Sequence, residues 1–196
     1  MTQPDRIIGL LLAGGKGTRM GGQDKGMVPW CGETMALWVL QALRAVTPTV
    51  FISANRSLAE YEKLSPGHVL QDPAGLRGQG PLAGLLTGLR AAAAYGAEAV
   101  LVCPCDTPGI TPETLRLLTL AWQAHPDRPV IAEHNGRQHP LHGVYPVSLV
   151  AALDQWLVSG NRRVMGFAGS VGAVAVDCPE REEGFRNRNN LTDLES

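Results

Sequence analysis

Short apolar runs alternate along this chain with longer segments in which apolar residues recur every three or four positions. The first run extends from Ile7 to Leu12, and the first longer segment has an apolar stripe at Met35, Trp38, Val39, Ala42, Leu43 and Val46. Continuous runs of this length are typical of buried strands, whereas the wider spacing is typical of helices with one apolar face. The alternation predicts an α/β fold in which helices cover both faces of a mostly parallel sheet.

The later part of the chain continues the same alternation. We predict further strands at 50–52, 69–70, 99–103, 129–133 and 173–176. We predict further helices that begin at Pro81 and Thr111 and that occupy 147–158 and 161–167. Pro48 ends the first helix, because proline cannot continue a helix. Pro81 fits the first position of the next predicted helix, and Gly96 fits the residue after its end.

One strand pair is expected to break the parallel pattern. Asn135-Gly136 lies between two extended stretches, and this dipeptide favours the two-residue turn of a β-hairpin. The return strand, Gln138 to Tyr145, is therefore predicted to run antiparallel to its neighbour. A mixed sheet follows from this prediction.

The composition restricts the class of protein. The chain has 196 residues, of which 44% are hydrophobic and 18% charged, and its net charge is −1. These values predict one domain, 1–196, without the overall charge that would attract nucleic acid or an anionic membrane. We expect no membrane span and no export signal, and four cysteines are too few for a disulfide framework, so a cytoplasmic location is predicted.

A glycine-rich loop follows the first predicted strand. Residues 13–26 contain six glycines together with Lys16, Arg19 and Lys25. Glycine lets backbone N–H groups approach a ligand closely and the cations supply positive charge, so the loop predicts a polyphosphate site. The loop lacks the residue order of a P-loop, and Met20 stands where a dinucleotide-binding loop has its third glycine.

Two aspartates follow predicted strands, at the edge where open α/β sheets bind ligands. Asp106 comes just after the strand at 99–103 and is an oxygen ligand of the kind that Mg²⁺ takes; a turn or a helix cap is the alternative. Asp72 comes just after the strand at 69–70 and begins a long glycine-containing loop. It either contacts the sugar or base of a nucleotide or opens a turn before Pro73.

Three histidines, His134, His139 and His142, lie within nine residues of one another. On an extended strand the side chains at positions 139 and 142 face opposite ways, whereas zinc ligands must converge. Zinc is therefore not favoured, and we expect these histidines in a polar hairpin that faces the substrate.

Two further groups have both a functional and a structural interpretation. Arg162 and Arg163 either pair with a second anionic substrate or form a solvated helix face. Asn187 and Asn189 point the same way if the segment is extended, and their amide oxygens could then hold a cation or a phosphate-bound water. Helix capping before Leu191 is the alternative interpretation.

Together these motifs resemble the molybdenum cofactor guanylyltransferases of the MobA type. The matching segments extend over nearly the whole chain and are LAGG at 12–15, RMGG at 19–22, DKG at 24–26, GPLAG at 80–84, CPCDTP at 103–108, RRVM at 162–165, and Phe185 with Asn187 and Asn189. The resemblance implies a Rossmann-like three-layer αβα nucleotidyltransferase fold. It also implies a Mg²⁺-dependent enzyme that transfers GMP from GTP to molybdopterin and releases pyrophosphate.

The resemblance further implies roles for individual residues. The guanine nucleotide would contact Leu12, Ala13, Gly14, Gly15, Gly22, Lys25, Asp72 and Asp106. Similar proteins often carry asparagine where this chain has Ser53, so either Ser53 or Asn55 would make that contact. The catalytic group would be Arg19, Lys25 and Asp106, with Asp106 as the metal ligand. Arg162, Asn187 and Asn189 would face the second substrate. Cofactor-assembly proteins and molybdoenzyme delivery proteins are the implied partners.

Little acid or base assistance is expected, because a molybdopterin phosphate is already anionic at neutral pH. We predict in-line attack on the α-phosphorus of GTP, with Arg19 and Lys25 balancing charge on the departing pyrophosphate. Three alternatives stay open: a cytidylyltransferase for the same cofactor, a sugar 1-phosphate nucleotidyltransferase, and a GTP-binding regulatory module without chemistry. Gly14-Gly15 favours guanine, since the cytidylyltransferase loop typically begins with two alanines, whereas Gly17-Thr18 is shared with the sugar-phosphate enzymes.

Overall fold

The computed structural model describes residues 6–14, 23–179 and 182–188. Within these ranges the strands are β1 (Ile7–Leu12), β2 (Pro29–Trp30), β3 (Glu33–Thr34), β4 (Val50–Ser53), β5 (Val69–Leu70), β6 (Ala99–Pro104), β7 (Val130–His134), β8 (Arg137–Pro146) and β9 (Val174–Asp177). The helices are α1 (Met35–Arg44), α2 (Leu58–Leu64), α3 (Pro81–Tyr95), α4 (Pro112–Ala124), α5 (Val150–Val158) and α6 (Val164–Ser170). Short 3₁₀ turns lie at Lys25–Met27, Val147–Leu149 and Glu182–Phe185.

Seven of these strands form one sheet in the order β5-β4-β1-β6-β8-β7-β9, and β2 pairs with β3 separately. β1 is parallel to β4 and β6, and β4 is parallel to β5. β8 is antiparallel to both of its neighbours, β6 and β7, whereas β7 is parallel to β9. The prediction of a mostly parallel sheet with one antiparallel return strand is confirmed.

Successive side chains of β1 pack against opposite layers of helices. Ile8 and Leu10 belong to the apolar cluster that α3, α5 and α6 share, whereas Leu11 belongs to the cluster that α1 and α4 share. Because side chains of a strand alternate between the two faces of a sheet, this one strand is buried on both sides. The arrangement confirms the predicted three-layer αβα fold.

The ends of the longer helices have the signals that the sequence carries. Threonine hydroxyls cap α1 and α4, where Thr34 and Thr111 each accept a hydrogen bond from the backbone N–H three residues further on. α3 begins at Pro81 and ends before Gly96, whose φ of 92° is left-handed. Among the described helices, none is both long and apolar enough to cross a lipid bilayer.

Sequence analysis missed α2 and the small β2–β3 hairpin. α2 has seven residues, of which Tyr61 is buried and Leu58 and Leu64 are partly buried against the same core, and its N-cap Ser57 makes no side-chain capping bond. β2 and β3 contain two residues each. Elements this short have too few residues to show a period. Two predicted helices also begin later than expected, since α6 starts at Val164 and α5 starts after a 3₁₀ turn.

The expectation that His139 and His142 face opposite ways is wrong. In the β7–β8 pair, Ile131 pairs with Gly143 but Ala132 pairs with His139, so residues 140–142 form a bulge in β8. A bulge interrupts the alternation of side chains along a strand. The two imidazole rings consequently lie with their centroids 5.9 Å apart. Within the described part of the chain, no three His, Cys, Asp or Glu side chains form a group that could hold a metal ion.

Candidate active site

A cavity of 340 Å³ lies at the carboxyl ends of the parallel strands. Its walls come from the ends of β1, β4 and β6, from the segment between β5 and α3, and from one residue of β8. The lining residues are Leu12, Gly14, Lys25, Ser53, Asp72, Gly78, Gly80, Pro81, Gly84, Pro104, Cys105, Asp106 and Leu141. Open α/β sheets bind ligands at this edge, which is where the sequence predicted both aspartates and the glycine loop.

Gly84 lets α3 pack closely against the strand ends that line the cavity. A Cβ atom on Gly84 would lie 2.7 Å from Ser53 Oγ and 3.0 Å from Leu12 Cδ2. One turn further along the helix, a Cβ atom on Gly88 would overlap Leu10. Glycine at these two positions therefore sets the distance between α3 and the sheet, and with it the width of the cavity.

An ion pair lies on the cavity wall. Lys25 Nζ donates a hydrogen bond to Asp106 Oδ2 at 2.6 Å, and each side chain is 18% exposed. The other carboxylate oxygen, Asp106 Oδ1, is buried and has no hydrogen-bond partner within the residues that the structure describes. The carboxylate therefore has bonding capacity left for a ligand. The sequence predicted both residues for one site, and the fold brings them into contact.

Asp72 is bonded more completely. Its Oδ2 accepts a hydrogen bond from Asn55 Nδ2 at 2.8 Å, and its Oδ1 accepts one from the Thr87 hydroxyl at 2.8 Å. The Asp72 backbone N–H donates in return to Asn55 Oδ1 at 3.0 Å. This network connects the segments after β4 and β5 to α3. Sequence analysis missed Thr87, because its relation to Asp72 exists only in the tertiary structure.

Two contacts hold the loop that carries Asp106. Thr107 Oγ1 and His142 Nε2 lie 2.8 Å apart, and neither residue is more than 3% exposed. Burial, together with a smaller effect of His139, lowers the pKa of His142 to about 3, so the imidazole is neutral at pH 7. On the other side of Asp106, its backbone carbonyl accepts a hydrogen bond from the Arg188 N–H at 2.8 Å. The clustered histidines were a visible signal in the sequence, but their partner Thr107 was not.

The histidines surround Phe185. The ring centroid of Phe185 lies 4.4 Å from that of His139, 5.4 Å from that of His134 and 5.1 Å from that of His142. Leu141, inside the bulge, is the residue of this hairpin that lines the cavity. The hairpin thus contributes an apolar contact to the cavity and uses its histidines for packing.

The cysteines at the end of β6 are poor nucleophiles. Cys103 and Cys105 are buried, and burial raises the pKa of both thiols. A thiol reacts as its thiolate. Cys105 lines the cavity, but its thiol is neutral, so it forms part of the cavity wall and is not suited to attack a substrate.

The other residues predicted for the nucleotide lie at the ends of β1 and β4. Leu12, Gly14 and Ser53 line the cavity, and the Ala13 N–H donates to the Ser53 carbonyl at 2.8 Å. Asn55 contacts Asp72 and is not itself a lining residue. Of the two alternatives for this contact, Ser53 is the one that lines the cavity.

The residues predicted for the second substrate and for the glycine loop are only partly described. Arg162 donates from Nη1 to the carbonyls of Leu157 and Asn161, both at 2.7 Å, and does not line the cavity. Asn187 is exposed and directly precedes Arg188. The residues Gly15, Arg19, Gly22 and Asn189 lie outside the described residues.

Comparisons with known proteins agree with one another. Residues 9–173 match the family model of the MobA-like NTP transferase domain. A molybdenum cofactor guanylyltransferase of Cereibacter sphaeroides is 41% identical over 96% of this chain and 94% of its own length. The protein of that name from Mannheimia succiniciproducens is 37% identical over 97% of each chain. The crystal structure of molybdopterin-guanine dinucleotide biosynthesis protein A from Archaeoglobus fulgidus has a TM-score of 0.77 at 24% identity, over 96% of this chain and 95% of its own.

Proposed function

Because this chain belongs to the family of MobA-like NTP transferase domains, we propose that it transfers GMP from GTP to molybdopterin-type molybdenum cofactor and releases pyrophosphate. The observation that carries the proposal is the Lys25–Asp106 ion pair on the wall of a cavity at the carboxyl ends of parallel strands. Relatives named molybdenum cofactor guanylyltransferase, which match the chain over nearly its whole length, support guanine as the base.

In this proposal the nucleoside of GTP occupies the part of the cavity near Leu12, Gly14, Ser53 and Asp72. Gly14 has no side chain to cover the backbone at the end of β1. The Asp72 carboxylate is held in place by Asn55 and Thr87, and its remaining lone pairs can accept from ribose hydroxyls or from N–H groups of the base. A carboxylate that is fixed in advance loses little freedom when the ligand binds.

The phosphates of GTP are proposed to lie near Lys25 and Asp106. A divalent cation fits this place, because Asp106 supplies a hard carboxylate ligand with one buried oxygen that no other described residue uses. We propose Mg²⁺, held by Asp106, which when bound neutralises phosphate charge. Lys25, and Arg19 from the glycine loop, would balance the charge of the departing pyrophosphate.

The proposed reaction proceeds by in-line attack of the molybdopterin phosphate on the α-phosphorus of GTP. The attacking group is already anionic, so positioning and charge neutralisation are what the protein must supply. The neutral, buried thiol of Cys105 supports direct transfer without a covalent enzyme intermediate.

For the second substrate we retain Arg162, Asn187 and Asn189 as proposed contacts. The segment of Asn187 lies beside the Asp106 loop, since the next residue, Arg188, donates to the Asp106 carbonyl. Arg162 is engaged by the carbonyls after α5, so a contact with substrate would require it to leave them. A cytoplasmic location, cofactor-assembly partners and molybdoenzyme delivery proteins complete the proposal, without nucleic acid or membrane.

The experiment that tests the function offers purified protein each of GTP, CTP, ATP and UTP with Mg²⁺ and molybdopterin, and measures pyrophosphate and the dinucleotide product. We expect turnover with GTP, its loss on addition of a chelator, and its return with excess Mg²⁺. Preference for CTP would identify a cytidylyltransferase, and turnover only with a sugar 1-phosphate would identify a sugar nucleotidyltransferase. GTP binding without pyrophosphate release would identify a binding module.

A further inference from the structure

Tyr61 connects α2 to the turn that carries Lys25. The Tyr61 side chain is fully buried, and its hydroxyl donates a hydrogen bond to Asp24 Oδ1 at 2.9 Å. The same oxygen accepts from the Gly26 N–H at 3.1 Å, which makes Asp24 the N-cap of the 3₁₀ turn Lys25–Met27. Asp24 Oδ1 therefore accepts one hydrogen bond from α2 and one from the turn that carries Lys25.

Gly26 leaves the space that this contact needs. A Cβ atom on Gly26 would overlap the Tyr61 hydroxyl and would lie 3.2 Å from Ala36 Cβ. Gly26 does not have a positive φ, so its backbone conformation is open to any residue. Contact with the Tyr61 hydroxyl is thus the reason for glycine at this position.

The protonation of Tyr61 fixes the direction of its hydrogen bond. Burial raises the pKa of the phenol, and the nearby Cys105 and Asp24 raise it further, so the hydroxyl keeps its proton and donates. Asp24 is 8% exposed, and its second oxygen has no hydrogen-bond partner among the described residues. Loss of the Tyr61 hydroxyl would leave this buried carboxylate with the Gly26 N–H as its remaining described donor.

We propose that Tyr61 is a positioning residue for nucleotide binding, which acts by fixing Asp24 and, through Asp24, the turn that holds Lys25 against Asp106. Tyr61 does not line the cavity, so it acts without touching GTP. Lys25 Nζ lies 2.6 Å from Asp106 Oδ2, a distance that a small rotation of the turn would lose. The inference rests on the proposed function, since GTP is the ligand through which it is measured.

The first test replaces the hydroxyl alone. Tyr61→Phe is expected to raise the KM for GTP about tenfold, because a hydrogen bond to a buried charge is lost. The KM for molybdopterin should stay within about twofold, since Lys25 is proposed to contact GTP. That split between the two substrates is a readout that a general loss of stability would not produce. A KM for GTP within about twofold of the wild type overturns the inference.

The other two tyrosines of the chain provide matched controls. The Tyr95 hydroxyl lies 3.3 Å from Thr49 Oγ1 at the surface, so Tyr95→Phe should have the wild-type KM for GTP and the wild-type KM for molybdopterin. The Tyr145 hydroxyl is buried and donates to the Pro140 carbonyl at 2.6 Å. Tyr145→Phe should lower the melting temperature and leave the KM for GTP unchanged. An equal rise in that KM for Tyr145→Phe would assign the Tyr61 effect to stability.

The second test uses the space at Gly26. Gly26→Ala brings a methyl group onto the Tyr61 hydroxyl and should raise the KM for GTP more than Tyr61→Phe does. In the double variant the hydroxyl is absent, so the shortest contact of the methyl group is removed, while those with Ala36 Cβ at 3.2 Å and with the ring carbon Cζ at 3.4 Å remain. The KM should therefore fall below that of Gly26→Ala alone. If the two effects simply multiply, Tyr61 does not act on the turn and the inference is wrong.

Calorimetric titration with GTP and Mg²⁺ separates failure of the inference from failure of the proposed function. Equal Kd values for wild type and Tyr61→Phe, in a wild type that turns over, would overturn the inference alone. Weaker GTP binding by Tyr61→Phe, in a wild type that binds GTP without releasing pyrophosphate, would uphold the inference and overturn the proposed reaction. A wild type that neither binds GTP nor releases pyrophosphate overturns both.

Discussion

The two aspartates that line the cavity differ in how their carboxylates are bonded. Asp72 follows β5, and its two oxygens accept hydrogen bonds from the neutral side chains of Asn55 and Thr87. Asp106 follows β6, and one of its oxygens accepts from the Lys25 ammonium while the other has no partner within the described chain. Both residues lie at the same sheet edge, which is why the sequence predicted a site role for each.

The difference teaches that position at a strand end does not decide what a carboxylate does. A carboxylate whose two oxygens both accept hydrogen bonds from fixed neighbours is held rigidly. It therefore contributes to the shape of the cavity and offers a ligand a hydrogen-bond acceptor in a fixed position. A carboxylate that has one oxygen without a described partner can bind a further cation through that oxygen. We therefore expect Asp106 to matter most for turnover and Asp72 to matter most for stability, and the following substitutions test that division.

The largest expected effect is that of Asp106→Asn. Asp106 is the proposed metal ligand, and an amide is a poor substitute for an anionic ligand, so kcat should fall on the order of 10²-fold or more. Steady-state pyrophosphate release measures it, and thermal melting should show a folded variant. Asp154→Asn is the matched control, because Asp154 lies in an exposed pair with Arg90 and such pairs contribute little. Full Mg²⁺-dependent turnover by Asp106→Asn would remove Asp106 from the mechanism.

Asp72→Asn should show the opposite balance. The new amide can still accept from Asn55 and can donate to the Thr87 hydroxyl, which then donates to the Ala83 carbonyl. Two hydrogen bonds to a charged group become bonds with a neutral one, so the free energy of unfolding should fall by about 1–2 kcal/mol, while kcat falls less than at Asp106. Urea denaturation measures the loss. Thr87→Val removes one of the two bonds and should cost less. A stable Asp72→Asn variant with the activity loss of Asp106→Asn would abolish the distinction.

Gly84→Ala tests the wall that lies between the two aspartates. The added methyl group would press on Ser53 Oγ and Leu12, so we expect a loss of about 1–2 kcal/mol of stability and a raised KM for GTP. Adding Ser53→Ala to this variant should recover part of the stability. Gly169→Ala is the control, since a Cβ atom there would meet nothing within 4 Å. Equal effects of the two glycine substitutions would mean that helix propensity, and not the close approach, is being measured.

The smallest expected effect concerns His142, which supports the Asp106 loop through Thr107. Its pKa of about 3 in the folded protein is below the ordinary 6.5, so between these values the unfolded chain binds the additional proton. Stability should therefore fall as the pH is lowered below about 6.5, by at most about 1.4 kcal/mol per pH unit. Denaturation at pH 7.5, 6.5 and 5.5 measures the slope. His142→Gln should reduce this slope. Part of the slope should remain, because burial also lowers the pKa of His139. An unchanged slope would mean that His142 is not the group that titrates.

The elements that the sequence predicted are those with a continuous apolar run, a repeated helical spacing of apolar residues, or a definite turn or end signal. β1, α3 and the Asn135-Gly136 hairpin belong to this class, and all three are confirmed. α2 was missed because its seven residues are too few to show a period, and the bulge in β8 was missed because a bulge is set by pairing with β7. Neither leaves a periodic trace in a single sequence.

The residues of the candidate site also fall into those that the sequence predicted and those that it did not. The cations of the glycine-rich loop and the strand-end position of Asp106 were enough to predict Lys25 and Asp106 for one site. Their supports could not be predicted, because Tyr61, Thr87 and His142 act through contacts between segments that are distant in the sequence. The roles assigned to Arg162 and Asn187 stay predictions, as do those of the residues outside the described ranges.

The hydrogen bond from the Arg188 N–H to the Asp106 carbonyl has a consequence for protein synthesis. Ribosomes build the chain from its N-terminus, so β1, β6 and the Asp106 loop are made well before residue 188 of 196. A nascent chain can pair its strands early, but this loop receives its Arg188 contact only after Arg188 itself has been made. A change in the segment of Arg188 therefore acts on the loop that carries Asp106, although the two are far apart in sequence.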